Sequence, residues 1–146
     1  MAGEATDPFD LERFVEAQKG FYDKALDELR AGCKRTHWIW FIFPQIEGLG
    51  HSPTAIHYSI SGKDEAAAYA DHPVLGPRLI ECTEAVLAID SSDATAVFGH
   101  PDNLKFRSSM TLFEAATGND LFGPLFSKAL EKFYDGERDG HTLERL

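Results

Sequence analysis

Most of the chain carries apolar residues at helical spacing. Leu11, Phe14, Val15, Gln18, Tyr22, Ala25, Leu26 and Leu29 recur along one face, while Glu12, Arg13, Glu16, Lys19, Asp23, Lys24, Asp27 and Glu28 fill the other. A stripe of this period marks an amphipathic helix. Asp7, Pro8, Phe9 and Asp10 read as its start, because Asp accepts hydrogen bonds from free backbone N–H groups and Pro tolerates a first turn. Gly20 predicts a division into two helices, and Gly32 a C-cap.

Further helices follow by the same logic. Ser61-Gly62-Lys63-Asp64 resembles a capping box with Asp in place of Glu, and His72-Pro73 breaks the helix it opens. Leu79, Ile80, Thr83, Val86 and Leu87 mark a helix beginning near Pro77, and Ser91, Ser92 and Asp93 cap a short segment up to Phe98. Asp102 is placed to cap a helix carrying Phe106, Met110 and Phe113, which Gly118 ends. Phe122, Leu125, Phe126, Ala129, Leu130 and Phe133 form the cleanest stripe, and residues 142–146 read as a polar tail.

Residues 34–54 break the pattern. Thr36-His37-Trp38-Ile39-Trp40-Phe41-Ile42-Phe43 is β-branched and aromatic, and its period separates neither a buried strand from a tight helix; an extended or irregular segment is the expectation. Residues 45–54, with Gly48, Gly50 and Pro53, read as a loop. Together these elements predict a mainly α fold. It is a single compact multihelical domain over residues 1–146, with a flexible N-terminus at 1–7 and room for one short hairpin or extended segment within residues 36–60.

Composition narrows the function. A chain of 146 residues, 43% hydrophobic and 26% charged, is globular rather than disordered. Its formal net charge of −10 repels a phosphate-rich duplex, so no nucleic-acid duplex binding is expected, although a local basic patch can hold a small anion. Cys33 and Cys82 read as reduced thiols. The longest apolar run, residues 38–43, is too short for a bilayer, and residues 1–7 lack a secretory pattern, so no membrane is expected and the cytoplasm is the default compartment. Phosphate-loop, nucleophile-elbow and dinucleotide fingerprints are absent. The histidines His37, His51, His57, His72, His100 and His141 form no metal-spaced pair, so neither a metal nor a cofactor is expected.

What remains is a set of ligand-binding candidates. Arg35, His37 and Trp38 sit at the polar edge of the aromatic segment, where Arg holds an anion, Trp stacks on a ring and His moves a proton. For these three a packing role and a pocket role stand side by side, whereas Trp40, Phe41 and Phe43 read as core. Gln45, Gly48 and Ser52 belong to a loop whose glycines let a backbone approach a ligand. Lys105 and Ser108 lie three apart on a helix and complete the set. His37 and Gln45 are the catalytic candidates, should there be a reaction.

Several runs carry a resemblance: Asp7-Pro8-Phe9-Asp10-Leu11-Glu12-Arg13-Phe14, His37-Trp38-Ile39-Trp40-Phe41-Ile42-Phe43-Pro44-Gln45, Gly48-Leu49-Gly50, and Lys105-Phe106-Arg107-Ser108-Ser109-Met110-Thr111. The chain resembles the DUF1810 family of bacterial proteins. That resemblance implies a small, mainly helical domain and supplies no activity or catalytic residue. Size and helical layout are also similar to the NADAR group of ADP-ribose-related proteins, an architectural analogy only. Two functions are therefore carried forward. One is a binding protein or enzyme for a small anionic ring-bearing ligand, nucleotide or ADP-ribose-like. The other is a non-enzymatic protein–protein interaction module, which needs an exposed apolar patch instead of a cleft.

Overall fold

The protein is described from a computed structural model, which covers residues 7–118 and 123–146. Among the described residues it is all helix: α1 (Glu12–Gln18), α2 (Tyr22–Arg30), α3 (Ile39–Ile42), α4 (Pro53–His57), α5 (Lys63–Asp71), α6 (Leu75–Leu87), α7 (Ala94–Phe98), α8 (Asp102–Thr117), α9 (Gly123–Tyr134) and α10 (Gly140–Glu144). None of them is long and apolar enough to cross a membrane.

Local chemistry sets the boundaries. The Asp7 carboxylate accepts the N–H groups of Leu11 (2.7 Å) and Glu12 (2.9 Å) and so holds Asp7 to the start of α1; residues 1–6 of the flexible end expected over 1–7, and Phe122, lie outside the described residues. Gly20, at φ +81°, separates α1 from α2. At the end of α2, Gly32 takes φ +80°, and the bonds Gly32 N–H to Leu29 C=O and Cys33 N–H to Glu28 C=O close a Schellman turn. Nδ1 of His72 accepts the N–H groups of Val74 (3.1 Å) and Leu75 (3.2 Å) and starts α6.

α8 is the centre of the packing, with α5, α7, α9 and α10 against it. Phe106 on α8 stacks on Phe98 (4.5 Å between centroids) and meets Phe43 edge-on at 4.8 Å. Arg13 staples α1 to the loop before α5. Its guanidinium donates to the carbonyls of His57, Ser59, Phe9 and Asp10 and to the Glu65 carboxylate at 2.8 Å.

Four local expectations need correction. Residues 39–42 form a helical turn rather than an extended run, because that turn buries Ile39, Phe41 and Ile42 together and packing overrides β propensity. The hairpin room within residues 36–60 holds only an isolated bridge between Ile46 and Ile60, and it is parallel. The box at Ser61 is shifted: Gly62 is the N-cap, and Glu65 accepts the Ser61 N–H at 2.8 Å. The polar tail is α10, capped by Asp139 with Thr142 buried beneath it.

Candidate functional site

The site grows outward from one carboxylate. After the turn at Gly32 the chain crosses the end of α2, and Glu28 accepts four hydrogen bonds from it. These come from the N–H groups of Arg35 (2.7 Å) and Thr36 (3.0 Å), the Thr36 hydroxyl (2.7 Å) and the Trp38 Nε1–H (2.9 Å). Burial pushes the Glu28 carboxyl up, but these donors outweigh it and hold it down at about 2. Trp38, 0% exposed, is thereby locked in the core. Lys34 is fixed as well: its Nζ donates to the Thr36 carbonyl at 2.6 Å and pairs with Asp102 at 2.7 Å.

Helical geometry at α3 then separates the two indoles. In a strand Trp38 and Trp40 would share a face; in a helical turn they point to different sides. Trp40 reaches the edge of a 350 Å³ cleft, whose walls also include Arg35, His37, His100, Pro101 and Lys105. The Lys105 ammonium lies 5.1 Å above the Trp40 ring and 3.5 Å from the Asp102 carboxylate, a loose pairing. Among the described residues neither the Arg35 guanidinium nor the buried Trp40 Nε1–H has a partner. Every other arginine is engaged by its side chain: Arg13, Arg30, Arg78, Arg107, Arg138 and Arg145.

A second cleft of 490 Å³ shares Pro101 and Lys105 with the first and continues past them to Gln45, Leu104, Ser108 and Asp139. Ser108 is 4% exposed, and its hydroxyl lies 3.1 Å from the Leu104 carbonyl and 3.2 Å from Asp139. Clefts of 580 and 590 Å³ lie elsewhere, but neither Lys nor Arg lines them, and Asp71, Glu81 and Glu84 or Asp7 and Glu12 do. An anion has no cation to meet there. Among the described residues no group of three or more His, Cys, Asp and Glu side chains is placed to hold a metal ion.

The chain matches the family described as protein of unknown function (DUF1810) over residues 8–146. It belongs to the DUF1810 family. A crystal structure of the conserved hypothetical protein Rv1873 from Mycobacterium tuberculosis is similar to it at 50% sequence identity and a TM-score of 0.92, covering 96% of this chain and 98% of that one. Among curated proteins none matches.

The structure of this DUF1810 member distributes the sequence candidates unevenly. Arg35, His37 and Lys105 share the first cleft; Gln45, Ser108 and Lys105 share the second. His37 and Gln45 thus fall in different clefts, on either side of Lys105. Trp38 is sealed by Glu28 and lines neither, which corrects its stacking role; Trp40, read as core, is the indole at the wall. Gly48 lines a separate 370 Å³ hollow with Arg145, and Ser52 is the N-cap of α4, accepting the Ala55 N–H at 3.1 Å. Asp139, not among the sequence candidates, lines the second cleft. The Asp-Gly-x-Thr run at residues 139–142 was its available signal, since it fits a helix N-cap.

Proposed function

We propose that this protein binds a small anionic ligand with a planar ring, of nucleotide or ADP-ribose type, in the cleft between Arg35 and Lys105. The observation that carries this reading is the unengaged Arg35 guanidinium, on the same cleft as the Trp40 indole and the loosely held Lys105. Each of the other six arginines has a partner for its side chain, so among the described residues Arg35 is the arginine left for a ligand. Arg35 and Lys105 supply charge-assisted donors, Trp40 adds an apolar edge, and Phe98 extends the wall. His37 and His100 bring imidazoles whose ring nitrogens can donate or accept hydrogen bonds.

The test is a titration of tryptophan emission with a nucleotide panel that includes ADP-ribose, checked by calorimetry. Trp38 is shielded, so Trp40 is the reporter. Binding is expected to change the emission, to weaken with added salt, and to be lost in Arg35→Ala, whose exposed side chain no other group relies on. Silence across the panel in both measurements would sink the reading and leave the interaction module.

A further inference from the structure

Resting on the anion site just proposed, we infer that its ligand has two parts. A charged, ring-bearing part occupies the Arg35 side, and an uncharged hydroxylated part, sugar-like in chemistry, extends into the Gln45 side, with the anionic link between them at Lys105.

The two clefts meet at the same residues, Lys105 and Pro101, yet their chemistry differs. The first is lined by Lys34, Arg35 and Lys105 against one carboxylate, Asp102. The second holds Asp139, which disfavours another anion, and the apolar side chains of Leu49 and Leu104. Arg107 also lines it, but its guanidinium is spent on the Glu137 (2.9 Å) and Arg138 (2.8 Å) carbonyls.

The free polar atoms of the second cleft suit hydroxyl groups. The three hydrogen bonds to the Asp139 carboxylate, from Ser108, Thr142 N–H and Thr142 hydroxyl, all fall on Oδ2; Oδ1 has no partner among the described residues. The Gln45 side chain is half-buried, and among the described residues its amide makes no hydrogen bond, so it can both donate and accept. A carboxylate oxygen and an amide beside apolar walls match a polyhydroxylated ring with one polar edge and one apolar face. The first cleft, 350 Å³, is at the lower end of ligand pockets, so a ligand longer than one nucleotide has to enter the second.

The experiment is calorimetry on the whole chain with matched probes: UDP against UDP-glucose, and ADP against ADP-ribose. The sugar-bearing member of at least one pair is expected to bind on the order of tenfold more tightly than its parent diphosphate. Gln45→Ala should remove that gain while leaving the parent's affinity unchanged; Arg35→Ala should weaken both. Parent diphosphates that bind as tightly as their sugar conjugates would overturn the two-part ligand and leave the anion site standing. A gain that survives Gln45→Ala would overturn it too, because the extra contact would lie elsewhere. Failure of every probe to bind would remove the anion site itself, and this inference with it.

Discussion

Replacing Glu28 by Gln isolates the energetics that shape the cleft wall. The three N–H donors all converge on Oε1, at 2.7, 3.0 and 2.9 Å, while the Thr36 hydroxyl meets Oε2. A Gln amide oxygen can take the place of Oε1, and its NH₂ can donate to Thr36, so the shape survives and the negative charge is lost. The native carboxyl is held at about 2 against an ordinary value of 4.5, and Glu28 is 8% exposed, so solvent screening is slight. That difference corresponds to about 3 kcal/mol of stability at neutral pH. The sign follows from a depressed pKa: the contribution is complete well above 4.5 and is lost as pH falls from there towards about 2. Urea unfolding of both proteins should therefore show a gap of about 3 kcal/mol at neutral pH, narrowing to about 2 kcal/mol near pH 3.5. Other carboxylates titrate in both proteins and cancel in the difference. A gap below about 1 kcal/mol, or one that does not change with pH, would refute the assignment of Glu28 as a charged anchor.

Two other predictions bear on the frame. A Cβ at Gly76 would lie 2.2 Å from the Ala70 carbonyl oxygen, so Gly76→Ala should force α5 and α6 apart and cost roughly 1–3 kcal/mol by denaturant unfolding; an unchanged midpoint would contradict this close approach. Burial pushes the Cys82 thiol up to about 12, whereas Cys33 is exposed, so a thiol reagent should label Cys33 alone in the native protein and both cysteines after unfolding; rapid native labelling of Cys82 would place that side chain wrongly.

The helical frame was legible because its signals are local. Gly20 and Gly32 sit where the chain needs φ above zero, and Leu26, Leu29, Phe106 and Phe113 face inward as their period requires. The aromatic segment was not, for a reason that is also physical. Residues 36–43 suit a strand by composition, and the decision between strand and helical turn is made by contacts distant in sequence: Phe43 against Phe106, Lys34 against Asp102. That decision reassigns every side chain in the segment, which is why Trp38 and Trp40 exchange their expected roles. The tail at residues 142–146 was misread for a similar reason, since Thr142 is polar but is consumed in bonds to Asp139, which caps α10 and also meets Ser108 and Thr111. Glu28 looked like one more charge on a solvated helix face, and only the return of the chain over it shows otherwise.

The negative charge of the chain takes on a different meaning beside this cleft. A net charge of −10 raises the energy of any long polyanion brought close, because most of its length faces the acidic surface. A small anion that fits between Arg35 and Lys105 meets mainly the local field, where three cations line the cleft against Asp102. Under the proposed function, the acidic surround and the basic cleft act together as a filter by size and charge that favours a small anion over a long polyanion. Leaving the Arg35 guanidinium without a partner forgoes stabilisation that the other arginines obtain, a local departure that the proposed anion site accounts for.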